Sequence, residues 1–181
     1  LPLGDVNTPP VPVATVTAAT PSPQPQRRII GQQADSTYRA AVEKPMFADS
    51  GPKVLIDEAH NNFHTSQGKY KPFADLLRND GFYVAGTLQE IDRQILSNCS
   101  VFVISNAMAK ANASPSETFS DYEINTLYEW VNSGGSLLLI TDFTHFSTAA
   151  KKLGEKFGVN MSNGSVTDPQ NCEGKRSSHL V

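Results

Sequence analysis

Cysteine is nearly absent from this chain: its 181 residues contain two, Cys99 and Cys172. They permit one disulfide at most, and neither belongs to a Cys-x-x-Cys pair, so a zinc ribbon or dithiol redox centre has no ligands. Basic runs are missing too. Arg27-Arg28 and Lys151-Lys152 are isolated pairs and the formal net charge is −3, so the electrostatic footprint that nucleic-acid capture needs is not there. No window reaches the ~20 consecutive apolar residues that cross a bilayer. The longest clean apolar runs, Val101 to Ile104 and Leu137 to Ile140, have strand length. No Gly-x-Gly-x-x-Gly or P-loop follows a strand, which argues against dinucleotide or nucleoside triphosphate binding. A Gly-x-Ser-x-Gly or Gly-x-Cys-x-Gly elbow is lacking as well, and Cys99 precedes its strand, at the wrong edge of a parallel sheet for a nucleophile.

What is present falls into two parts. The first 26 residues hold seven of the twelve prolines and no lysine or arginine, and no aromatic residue precedes Tyr38. Such a composition buries too little to offset its ordering entropy, so residues 1–50 are expected to be an extended, disordered linker. Residues 51–181 have the patterning of a folded domain. Val54-Leu55-Ile56 is a continuous apolar run, the mark of a strand covered on both faces. Phe73, Leu76 and Leu77 recur at helical spacing after Pro72, and Asn79-Asp80-Gly81 ends that helix. A second strand follows at Phe82-Tyr83-Val84. Thr87 and Glu90 form a capping box before Leu88, Ile91, Ile95 and Leu96. Val101 to Ile104 is the third strand. Ser120 and Glu123 form another capping box, ahead of Ile124, Leu127, Tyr128 and Val131, and Gly134-Gly135 stops that helix. Leu137 to Thr141 is the fourth strand. Ser147 is the expected cap of a last helix bearing Ala150, Leu153 and Phe157, and Val159-Asn160-Met161 is the expected start of a fifth strand. Strands alternating with helices of this length specify a mostly parallel sheet in a three-layer, flavodoxin-like α/β sandwich.

In that arrangement the C-terminal ends of the strands share one edge, where ligands of open α/β sheets bind. Asp57, Glu58, His60 and His64 follow strand one, Asn106 follows strand three, and Asp142 and His145 follow strand four. With strands ~4.8 Å apart, these tips are expected within about 10–15 Å of one another. The set admits three uses. It could form a polar ligand pocket or an acid–base pair, with a histidine oriented by Asp57 or Asp142. It could hold a divalent metal through His60, His64 and Asp142, with no other cofactor indicated. It could be structural, carboxylates pinning loops and histidines acting as hydrogen-bonding groups. Phe63, Phe143 and Phe146 could wall a pocket, or equally fasten helices to the sheet.

The segments 54–64, 68–73, 76–81 and 134–142 together resemble an uncharacterised bacterial branch of the class I glutamine amidotransferase-like superfamily, whose members are often exported. The resemblance implies a flavodoxin-like fold and an extracytoplasmic location. Family members also usually continue past a segment like 171–175, so the domain reads as incomplete at its C-terminus. True amidotransferases carry a cysteine elbow after the strand equivalent to 137–141. Here Asp142-Phe143-Thr144-His145 stands instead, so hydrolysis of glutamine by a thiolate is not expected. The leading expectation is therefore an extracytoplasmic, amidotransferase-like domain without that nucleophile, whose partner is a small polar ligand bound by Asp57, Glu58, His60, His64, Asn106, Asp142 and His145. The alternatives are a metal-dependent hydrolase and a non-catalytic assembly module. The last requires dry, tightly packed strand tips and an apolar surface patch.

Overall fold

Four strands and four helices alternate in a computed structural model of the chain. It describes residues 34–35, 37–48, 51–142, 144–162, 168 and 170. The order is β1 (Lys53–Asp57), α1 (Lys71–Asn79), β2 (Tyr83–Thr87), α2 (Arg93–Ser97), β3 (Val101–Ser105), a 3-10 turn (Pro115–Glu117), α3 (Asp121–Asn132), β4 (Ser136–Ile140) and α4 (Thr144–Lys156). All pairings are parallel and the strand order is β2-β1-β3-β4. This is the flavodoxin-like order expected from the alternation of elements.

The pleat sorts side chains onto two faces, because successive residues of a strand point opposite ways. Val54 and Ile56 of β1 and Val103 of β3 join Val84 and Ala74 in a cluster under α1. Leu55, Phe102 and Ile104 point the other way, into a larger cluster with Leu96 of α2, Ile124 and Leu127 of α3 and Leu153 of α4. One helix thus covers one face and three helices the other. Phe102, Ile104 and Ile56 are fully buried, each contributing roughly 1.5–3 kcal/mol. Leu138 of β4 lies at the end of the sheet beyond the reach of α1 and stays 40% exposed.

Local chemistry explains the boundaries. Pro72 occupies the first turn of α1, where its missing N–H costs nothing. Ser120 and Glu123 make a complete capping box at the start of α3. Gly134 adopts φ +103° just past that helix, a left-handed conformation that glycine adopts without strain. Three expectations are corrected. Thr87 and Glu90 do not cap α2. Thr87 ends β2, Glu90 is exposed, and Asp92 caps the helix by accepting from Ile95 N at 2.7 Å. Helix α4 begins at Thr144, ahead of Ser147. Residues 159–162 form no strand.

Most of the proline-rich head, and Cys172 with any disulfide it could form, lie outside the described residues, as does Phe143. The described part of residues 34–48 packs on the domain. Asn79 Nδ2 donates to Ala40 O at 2.8 Å, Phe47 meets Phe82 edge-on at 4.9 Å, and Met46 N donates to Asp80 Oδ1 at 2.8 Å.

Candidate functional site

Asp57 ends β1 on the same side of the pleat as Leu55, so its carboxylate points toward the layer containing α3. It is fully buried and accepts from Ala59 N at 3.2 Å and from Asn62 Nδ2 at 3.0 Å. His60 Nδ1 lies 2.9 Å from Asp57 Oδ2, and His60 Nε2 lies 2.9 Å from Glu123 Oε1. Glu123 in turn accepts from Ile91 N at 3.1 Å and from Ser120 N and Oγ at 2.9 and 2.8 Å. The imidazole packs on Phe119 with ring centroids 4.5 Å apart.

A histidine whose two ring nitrogens both face carboxylates must donate from both, which makes it an imidazolium. Burial opposes the charge, but the bonds to Asp57 and Glu123 outweigh it and lift the His60 pKa to about 9. Burial likewise opposes ionisation of Glu123, and the bonds from His60 and Ser120 overcome it, bringing that carboxyl down to about 2. Asp57, His60 and Glu123 form a buried ionic staple joining the β1 loop to the first turn of α3. With both nitrogens engaged, His60 has neither a free lone pair for a metal nor a proton-accepting site for catalysis.

His64 lies on the other side of the sheet. Its Nδ1 is 3.1 Å from Ser105 Oγ, and Ser105 shares the side of Val103 under α1. The ring stacks on Tyr70, just ahead of α1, at 4.5 Å between centroids. Asn106 Nδ2 reaches Asp142 Oδ1 at 2.9 Å and His64 Nδ1 at 3.1 Å. A carboxylate can only accept, so this amide atom is the NH2 group, and His64 Nδ1 must accept from it. His64 is therefore neutral. Burial agrees, holding its pKa below the ordinary value, with Asp142 opposing and Lys69 reinforcing that shift. Asn106 is fully buried with φ +47°, and its Oδ1 has no hydrogen-bond partner among the described residues.

Of the seven residues singled out from the sequence, Asp57 and His60 belong to one network, and His64, Asn106 and Asp142 to another. Glu58 belongs to neither: its Oε1 accepts from Ser66 N and Oγ, both at 2.7 Å. His145 is exposed on the first turn of α4. In place of one cluster there are two hydrogen-bonded networks directed to opposite faces of the sheet, linked by Asn62, whose Nδ2 donates to Asp57 Oδ2 at 3.0 Å and to Ser105 O at 3.3 Å. Among the described residues, no group of three or more His, Cys, Asp or Glu is placed to hold a metal ion. Glu123, Ser105, Asn62 and Ser66 complete the networks from positions that no motif in the sequence marks as partners. Ser120-x-x-Glu123 was visible as a cap, but that its second carboxylate oxygen serves His60 depends on where α3 docks.

The comparisons with known proteins correct the rest. The family model of the IFT52 GIFT domain matches residues 53–170. A solved structure titled "mmIFT52 N-terminal domain" superposes with TM-score 0.59 at 18% identity, covering 70% of this chain and 53% of that one. At that identity the likeness shows the fold, and this chain spans about half the length of the solved one. No curated protein matches. IFT52 is a component of intraflagellar transport. The resemblance to a bacterial amidotransferase-like branch is therefore overturned, and with it the exported location and the small-ligand function that it carried. With well over half of its residues matched, the chain belongs to the IFT52 GIFT domain family.

Proposed function

We propose that this domain is a non-catalytic assembly module of the intraflagellar transport machinery, acting through its surface on other proteins and not through a reaction at the strand tips. One observation carries the reading: at the ligand-binding edge both ring nitrogens of His60 are committed to carboxylates, and Asn106 Oδ1 is the one buried side-chain polar atom without a partner among the described residues. His60 is held between Asp57 and Glu123 at 5% exposure, and His64 is held by Ser105, Asn106 and Tyr70 at 7%. An active site needs polar groups with unmet bonding capacity facing a hollow. His60 lines a hollow, but both of its ring nitrogens are spent on fastening the β1 loop to α3. Membership of a transport family supports the same reading.

The test is made in the full-length protein, in cells that build the transport assembly. Deleting residues 53–170 should strongly reduce recovery of the tagged chain in that assembly. A domain carrying surface substitutions only should keep its melting temperature while recovery falls. Normal recovery without the domain would refute the proposal, as would turnover or stoichiometric metal binding by the purified domain.

A further inference from the structure

Two large apolar side chains stand out from the surface beside the ionic staple. Leu88, just past β2, is 79% exposed, and Tyr122, in the first turn of α3, is 59% exposed. Between the segments that carry them runs a cleft of about 470 Å³, floored by Ile91 and Glu123 and flanked by Glu90, Asp92 and Tyr122. It adjoins a second hollow lined by Met108 and Lys110, with which it shares Glu90, Ser120 and Glu123. The two hollows meet at these shared residues to form one groove at the C-terminal edge of the sheet, with Tyr122 and Met108 in its lining and Leu88 beside it, next to the lining residue Gln89.

The charge of the groove selects its occupant. The residues lining the two hollows include four carboxylates, Glu90, Asp92, Glu117 and Glu123, against a single lysine, Lys110, and no arginine. Two positive charges offset them: the His60 imidazolium below Glu123, and Lys110, 3.4 Å from Glu90. Two net negative charges remain in the lining. The positive end of the α3 dipole is opposed by Asp121 and Glu123 in its own first turn. A leucine left 79% exposed gains by being covered, and the acidic rim favours a cationic cover over a neutral or acidic one.

We infer that this groove seats a lysine- or arginine-bearing segment of another subunit, which places one or two apolar side chains against Leu88 and Tyr122. The inference rests on the assembly-module reading and gives it a surface and a partner chemistry. It follows the general mode in which an amphipathic segment lies in a groove with charged flanks. Charge complementarity of this kind sets the rate and specificity of encounter, and it weakens with salt because the carboxylates at Glu90 and Glu117 are exposed.

A photo-crosslinking phenylalanine analogue placed at position 88 or 122 of the full-length protein, in cells that build the assembly, tests this. The expected product is a crosslink to a companion subunit within a peptide rich in lysine or arginine. Glu90→Lys, at an exposed residue that lines both hollows, should lower its yield by about tenfold while the melting temperature holds. Tyr122→Ala, with no change of charge, should lower the yield of the crosslink from position 88. Crosslinks to a second copy, within the same chain, or to a neutral or acidic peptide would overturn the inference, as would a yield indifferent to charge reversal. If the assembly forms normally and the crosslinks map elsewhere, the groove alone is wrong. If deletion of residues 53–170 leaves assembly unchanged, the module reading falls with it.

Discussion

His60 Nε2 sits 2.9 Å from Glu123 Oε1 across 63 residues of sequence. That contact ties the loop after β1 to the helix that leads into β4, and it is buried at both ends. Removing His60 would leave the Asp57 and Glu123 carboxylates without the counter-charge they share. His60→Ala should cost on the order of 3–5 kcal/mol, the range for breaking a buried ion pair from one side. Glu123→Gln keeps an acceptor for Ile91 N and should cost less. The double variant should cost less than the sum of the two single ones. Urea denaturation of the three proteins decides this, and additive losses would show that the residues are not coupled.

The same staple sets the alkaline limit of stability. The His60 pKa is raised from 6.5 to about 9 in the folded state, so the stability it contributes is complete below 6.5 and is lost as pH rises through about 9. The amount at stake is on the order of 3 kcal/mol. Glu123 works in the opposite direction: its pKa is depressed from 4.5 to about 2, and its contribution, full above 4.5, is lost as pH falls through 2. The two shifts describe one ion pair from either end and are not summed. Melting temperatures between pH 5.5 and 10 should decline on the alkaline side, and His60→Gln should flatten that decline.

Much of the fold was legible because it depends on local patterns. The apolar runs at 54–56, 101–104 and 137–140 place β1, β3 and β4 to within one or two residues, and the Ser120–Glu123 box marks the start of α3. Failures came where two local signals competed. Thr87 and Glu90 have the spacing of a cap, but Thr87 pairs with Asp57 in the sheet and its hydroxyl accepts from Gln89 N at 3.2 Å. The edge on which the polar residues gather was also readable. Their partition was not, since it turns on pleat parity. Asp57 shares a side with Leu55 and Ser105 with Val103, so the two histidines fasten to opposite layers. A one-residue change of register would have reversed that assignment.

Asn106 offers a second test of proton positions. Its NH2 group donates to both Asp142 and His64, so Asn106→Asp replaces a donor with a carboxylate facing another carboxylate and a lone pair. The expected cost at neutral pH is about 2–4 kcal/mol. The sign of the acid response should also change. In the native protein the His64 pKa is lowered by burial, so its contribution to stability is lost as pH falls from 6.5 through that lower value. In the variant, a protonated Nδ1 can donate to the new carboxylate, and acidification between pH 7 and 5.5 should recover part of the loss. Following the His64 ring protons by NMR should show a raised pKa. An unchanged titration would mean that Asn106 does not set the tautomer.

Glu58 reaches Ser66 only because residue 86 has no side chain. A Cβ at Gly86 would overlap the Glu58 carboxylate, which accepts from Ser66 N and Oγ at 2.7 Å each. Two effects of Gly86→Ala oppose each other. Alanine reduces the entropy of the unfolded chain and favours folding by roughly 0.4–1 kcal/mol. Displacing Glu58 weakens two charge-assisted hydrogen bonds, a loss of about 1.5–3 kcal/mol. The second effect is larger, so the variant should be destabilised by about 1–2 kcal/mol. The mechanism predicts a coupling: in a Ser66→Ala background, where the hydroxyl bond is already gone, Gly86→Ala should cost measurably less. Equal costs in the two backgrounds would mean that the glycine serves the strand itself and not the carboxylate lying across it.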